Sequence, residues 1–133
     1  MIKGIGVDVV DITRIDEIMG KYGHHFLDKV FTHNEIAYCG GMAKPAVHSA
    51  GRWAVKEAFY KALPRECQQL SFFKSIEIAS GESRRPTIAV LDEALRASLN
   101  KQGIMSMHLS ISHEKTVCVA FVVLEDGPAP KRY

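Results

Sequence analysis

The stretch Gly51–Leu63, GRWAVKEAFYKAL, leaves this chain the least freedom in how it folds. Ala54, Val55, Ala58, Phe59, Ala62 and Leu63 recur at helical spacing, and no Pro or Gly interrupts them before Pro64. The spacing predicts a long helix from about Val47 to Leu63. At 3.6 residues per turn, Val55, Ala58, Phe59 and Ala62 gather on one face that needs burial, while Glu57 and Lys61 share another with Ala50 and Ala54. An acid and a base one turn apart over an alanine floor leave space for a ligand. The same pair is also an ordinary i,i+4 helix contact worth about 0.3–0.5 kcal/mol, and the helix alone does not separate the two readings.

A second carboxylate stands in a less comfortable place. Residues 2–9 read as a strand, because Ile2–Val10 is rich in β-branched side chains. Both alternating sets are apolar, which predicts burial on both faces. Gly4 and Gly6 permit another backbone or a ligand to come close. Asp8 inside such a run is costly unless a partner or a metal balances its charge. It is not needed as a cap, because Asp11 serves that role for an amphipathic helix over 12–22 carrying Ile12, Ile15, Ile18 and Met19 on one face.

The rest of the chain supplies a short helical stretch near 24–30, then a helix opened by the capping box Thr32-His33-Asn34-Glu35 and closed by Gly40-Gly41. Strands over 75–79 and 87–91 flank a polar turn at 80–86, and a helix over 92–101 ends at Gly103. A hairpin follows, with Leu109 and Ile111 on one strand, Val117 to Leu124 on the other, and His113 at the start of the turn. Helices and strands that do not alternate regularly predict an α+β fold, a mostly antiparallel sheet packed on the long central helix. Its 133 residues suffice for one domain, taken as 1–126, with the Pro/Gly-rich residues 127–133 as a mobile tail.

Composition excludes several classes. An apolar share of 47% and a charged share of 24% are those of an ordinary globular protein. The net charge is +2, with no Lys/Arg run and no aromatic–basic interleaving, so nucleic-acid binding is not expected. No apolar run approaches the ~20 residues of a membrane span, and no secretory leader pattern opens the chain. Cys39, Cys67 and Cys118 are odd in number and lack a C-x-x-C pair, which argues against disulfides and zinc and for a cytoplasmic setting. Cys118 reads as a small core residue.

Three segments in order, GIGVDVVDITRI at 4–15, GRWAVKEAFYKAL at 51–63 and HLSISHEKTVCVAFVVLE at 108–125, resemble the signatures of the 4′-phosphopantetheinyl transferases. The short single-domain length is similar to the holo-[acyl-carrier-protein] synthase branch. The resemblance implies that fold, and transfer of the phosphopantetheine arm of coenzyme A to a serine of an apo acyl carrier protein, with Mg²⁺ as cofactor and 3′,5′-ADP as the leaving group. It implies Asp8 and Glu57 as metal ligands and Lys61 of the K-E-A-x-x-K pattern as the cation on the phosphates, which makes Asp8, Glu57 and Lys61 the expected catalytic set. Glu57, directly or through a water on the metal, is the implied base for the carrier serine. Arg52, His113 and the turn pair Arg85-Pro86 match positions that contact coenzyme A, and the first two are supplied by a neighbouring subunit of a homotrimer. Arg14 matches a carrier-docking arginine, and Lys21, His24, His25, Lys29 and Lys44 extend a basic surface around it that suits an acidic carrier. Leu63-Pro64-Arg65-Glu66-Cys67 replaces the Gly-rich turn usual after the long helix, with Arg65 compensating for lost backbone donors. Two other readings remain at this stage: a metal-independent acyl-coenzyme A thioester hydrolase, and a non-enzymatic module that binds a carrier or coenzyme A.

Overall fold

In the computed structural model, residues 1–80 and 85–127 are described. The centre of the expected turn at 80–86 and all but the first residue of the expected tail lie outside them. The long helix, α4, runs from Pro45 to Ala62. It begins two residues earlier than its periodicity indicates, because Pro45 has the fixed φ suited to a first helical position. The strand β1 spans Ile2–Asp11, and the Asp11 side chain accepts from the backbone N–H groups of Thr13 and Arg14 to open α1, Ile12–Tyr22. Then come α2, His24–Val30, and α3, His33–Gly40, whose Thr32/Glu35 capping box closes as expected. A four-residue helix α5, Arg65–Gln68, and a 3₁₀ turn at Phe73–Ser75 follow α4. The remaining elements are β2, Ile76–Ser80, β3, Pro86–Val90, α6, Glu93–Lys101, β4, Ser106–Glu114, and β5, Val117–Glu125.

The α+β class holds, and all pairing is antiparallel, but the strands divide between two sheets. One has the order β1-β5-β4, and β2 and β3 form a second. α4 lies across the first sheet. Its Ala50, Ala54, Val55, Ala58 and Phe59 are fully buried against Val10, Cys118, Ala120, Val122 and Leu124. The approach to β1 is backbone on backbone. A Cβ added at Gly6 would stand 1.8 Å from the Ala58 carbonyl oxygen, and one at Gly4 would stand 1.9 Å from that of Ala62. Only glycine permits the contact, as the strand's pattern implied.

One expectation fails within the chain. β1 is buried on one face only. Gly6 and Val10 are covered by α4, while Ile5, Val7 and Val9 on the other face are exposed. They pair with Val123, Phe121 and Val119, so an apolar stripe runs across the outer sheet. A strand covered twice needs a second layer, and among the described residues α4 is the layer that packs on this sheet from one side. The turn of the last hairpin is also tighter than expected: β4 continues to Glu114, so His113 is a strand residue opposite Cys118. Cys39, Cys67 and Cys118 are free and buried. No described helix is long and apolar enough to cross a membrane.

Candidate active site

Side chains alternate along a strand, so Gly4, Gly6, Asp8 and Val10 share the face under α4. The glycine contacts set the depth of that crossing, and Asp8 follows two residues beyond the closest approach. Its carboxylate meets Lys61, the penultimate residue of α4: Lys61 Nζ lies 2.9 Å from Asp8 Oδ1 and also donates to the Val7 carbonyl at 3.3 Å. Asp8 is mostly buried, while half of the Lys61 side chain is exposed. The lysine thus pairs across the fold, and not with Glu57 on its own helix. Glu57 remains beside them, half-buried. Burial first, then the Asp8 charge, push its carboxyl above the usual 4.5, and Lys61 opposes the shift. The structure therefore brings Asp8, Glu57 and Lys61 together.

Two carboxylates that repel each other face one ammonium, an excess of one negative charge in a partly desolvated place. That donor set fits a hard divalent cation, which takes one or two carboxylates and completes its shell with water and phosphate oxygens. Among the described residues no group of three or more His, Cys, Asp or Glu side chains gathers as ligands. Glu57 also lines a cleft of about 490 Å³ with Lys29, Tyr60, Ser71, Phe72, Phe73 and Lys74.

The remaining expected ligand contacts form a second group. Arg52 is buried, its guanidinium stacked 4.3 Å over the Tyr38 ring, with Nη2 donating to Ser80 Oγ at 3.5 Å. Its Nε is buried with no hydrogen-bond partner among the described residues. Ser80 pairs across the small sheet with Pro86, which brings the exposed Arg85 to the same edge. The His48 ring packs on Tyr38, and its pKa is held down by burial and by the charges of Arg52 and His113, so His113 belongs here too. Glu57 feels Asp8 and Lys61, whereas Arg52 keeps company with Tyr38, His48, Ser80 and His113. The described residues thus form two separate groups, one around Asp8, Glu57 and Lys61 and one around Arg52.

The docking expectations divide in the same way. Arg14, Lys21, His25 and Lys44 are exposed, the first three on α1 and α2 and Lys44 just before α4. Lys29 is exposed but lines the Glu57 cleft. Lys44 sits with Thr13, Asp16 and Lys115 around a separate depression. Met19 packs on the core. Arg65 is exposed in α5.

Sequence reading missed a second ion pair, Lys56 with Glu35, whose Nζ and Oε1 are 2.9 Å apart and whose side chains are almost completely buried. Burial pulls the Lys56 pKa down, and Glu35 opposes that. Glu35 already had a role in the capping box, and Lys56 read as one of several charges on a helix. The available signal was a lysine next to Val55 on an otherwise apolar side of the helix.

A family model for the 4′-phosphopantetheinyl transferase superfamily matches residues 4–121. The chain belongs to that family. A holo-[acyl-carrier-protein] synthase of Halothermothrix orenii is 42% identical over 127 residues, covering 96% of this chain and 100% of the relative. Among solved structures, holo-[acyl-carrier-protein] synthase from Neisseria meningitidis superposes with a TM-score of 0.82 at 34% identity, covering 94% of this chain and 99% of the other. A Bacillus anthracis holo-(acyl-carrier-protein) synthase in complex with CoA (3′,5′-ADP) gives 0.76 at 32% identity, covering 96% and 99%.

Proposed function

We propose that this chain is a holo-[acyl-carrier-protein] synthase that moves the 4′-phosphopantetheine of coenzyme A onto a serine of an apo acyl carrier protein, with Mg²⁺ held by Asp8 and Glu57. The observation that carries the reading is the Asp8–Lys61 contact beside a Glu57 whose pKa is raised. It occurs in a chain 42% identical to a protein of that name. The serine Oγ bonds to the β-phosphorus of the coenzyme A diphosphate. The bond from that phosphorus to the bridging oxygen breaks, and its electron pair leaves on 3′,5′-ADP. Glu57, directly or through a water on the metal, takes the serine proton. Lys61, tethered by Asp8, presents its ammonium as a point charge to the diphosphate. A bound Mg²⁺ supplies charge neutralisation on the phosphate oxygens.

Arg52, His113, Arg85 and Pro86 hold the nucleotide end, and the buried Nε of Arg52, without a partner among the described residues, supports this. The two half-sites meet between copies of a homotrimer. The exposed stripe of Ile5, Val7, Val9, Val117 and Phe121 supports that assembly, because an apolar face of this extent marks an interface. Arg14, Lys21, His25 and Lys44 steer the acidic carrier, joined by Lys29 where the docking face reaches the cleft. A cytoplasmic location accords with three free, buried cysteines. Incubation with apo carrier, coenzyme A and Mg²⁺ tests the whole reading: the carrier gains the mass of one phosphopantetheine, and a chelator abolishes the gain. Turnover of acyl-coenzyme A that survives the chelator supports the hydrolase instead.

The metal-free protein offers a further check. Folded Glu57 keeps its proton to a higher pH than it does in the unfolded chain, so stability declines as pH rises from 4.5 through the raised value and stays reduced above it. Glu57→Gln removes that decline. The metal-free variant is expected to melt higher than wild type at neutral pH and level with it in acid, and added Mg²⁺ is expected to raise the melting temperature of wild type alone. Melting curves that differ by a constant offset at every pH contradict the assignment.

A further inference from the structure

The Lys56–Glu35 pair is fully satisfied. Lys56 Nζ meets Glu35 Oε1 at 2.9 Å and donates to the carbonyls of Ile76, at 2.9 Å, and Phe73. Glu35 Oε1 accepts from the Thr32 N–H and Oε2 from that of Ile78, each at 2.9 Å. One charge pair thus joins the start of α3, the middle of α4, the 3₁₀ turn and β2. Such a pair is poor at raising stability, since matched apolar replacements are often neutral or better. Its distinctive product is geometry: the ammonium fixes two carbonyls that an aliphatic side chain has no means to hold.

Those two carbonyls bracket the segment Phe73–Ile76. Together with Phe72, this segment forms one wall of the cleft, and the facing wall is α4 with Glu57 and Tyr60. Lys74 Nζ ties the wall's outer side to the Asp28 carbonyl at 2.7 Å. Phe73 also stacks on Trp53 of α4, with ring centres 4.9 Å apart. We propose that the Lys56–Glu35 pair is a positioning device that clamps the 72–76 wall to α4 and so sets the width of the cleft onto which Glu57 opens. Lys56 also lines the cleft, but its ammonium is committed to Glu35 and the two carbonyls, so it acts through the wall. The inference rests on the transfer reading above for what Glu57 does.

Trp53 is the single tryptophan, so its fluorescence reports whether Phe73 is seated. Lys56→Met alone strands a buried carboxylate, so it is compared with Lys56→Met/Glu35→Gln, which is neutral and whose amide oxygen keeps an acceptor for one of the two N–H groups. The double variant is expected to keep its circular dichroism and assembly state. Its Trp53 emission moves to longer wavelength and is quenched more readily by acrylamide. Its kcat falls about tenfold or more, the scale of a misplacement near 1 Å, with KM for coenzyme A nearly unchanged because the nucleotide is held by the Arg52 group. A folded double variant with wild-type emission overturns the clamp, as does one with shifted emission and unchanged kcat, or one that loses only in KM. If wild type itself transfers nothing, the transfer reading falls, and Trp53 alone decides whether the pair seats the wall.

Discussion

Glu57→Gln is expected to lower kcat for carrier modification by about 10²–10³, the usual consequence of losing one preorganised charged group at a developing charge. The substitution keeps shape and volume, so the loss isolates the charge. Asp8→Asn is expected to act on the same scale and to free Lys61 from its 2.9 Å contact. The double variant should fall little further than either single one, because groups that serve one charge balance act as a unit. The measurement is the rate of carrier mass gain at saturating Mg²⁺ and coenzyme A. Folding is checked by melting, where Glu57→Gln is at least as stable as wild type without metal at neutral pH. Activity within a few-fold of wild type in either single variant removes the paired-carboxylate reading.

Arg52→Met and Glu57→Gln are each expected to be nearly inactive alone and to regain activity when mixed. The reason is the separation of the two groups: Asp8, Glu57 and Lys61 in one place, and Arg52 with Tyr38, Ser80, His48 and His113 in another. If adjoining copies complete each site, random subunits from an equal mixture restore about a quarter of the interfaces. Those intact interfaces take Glu57 from one variant and Arg52 from the other. Sites contained within single chains regain nothing. Phe121→Arg supplies the complementary test. It places a charge in the exposed stripe opposite Val7 and leaves both half-sites untouched. Dissociated and inactive protein is the expected result. A monomer with full activity excludes the shared site.

The local elements were legible because their causes are local. Asp11 and Thr32 cap the helices that follow them, and a side chain reaching a backbone N–H two or three residues on leaves its mark in the sequence. Periodicity located α4 because 18 residues provide several repeats. It did not locate α5 or the 3₁₀ turn, where four and three residues provide none. Burial of β1 was read from its pattern as two-sided, yet a pattern states what a strand can bury and not which layer arrives. Ile5, Val7 and Val9 are apolar on a face that this chain leaves open.

Charge partners were the least legible feature. Lys61 has Glu57 as its i,i+4 neighbour and pairs with Asp8, 53 residues away. Lys56 pairs with Glu35, a residue whose capping role had already accounted for it. Sequence by itself determined that a rigid apolar helix carries Glu57 and Lys61, that a strand with an unwelcome Asp8 lacks side chains at Gly4 and Gly6, and which residues match the family's signatures. Tertiary structure decided that the helix lies on those glycines, and therefore which carboxylate the lysine meets. Ion pairing depends on distances of a few ångströms, and only the packing of distant segments sets those distances.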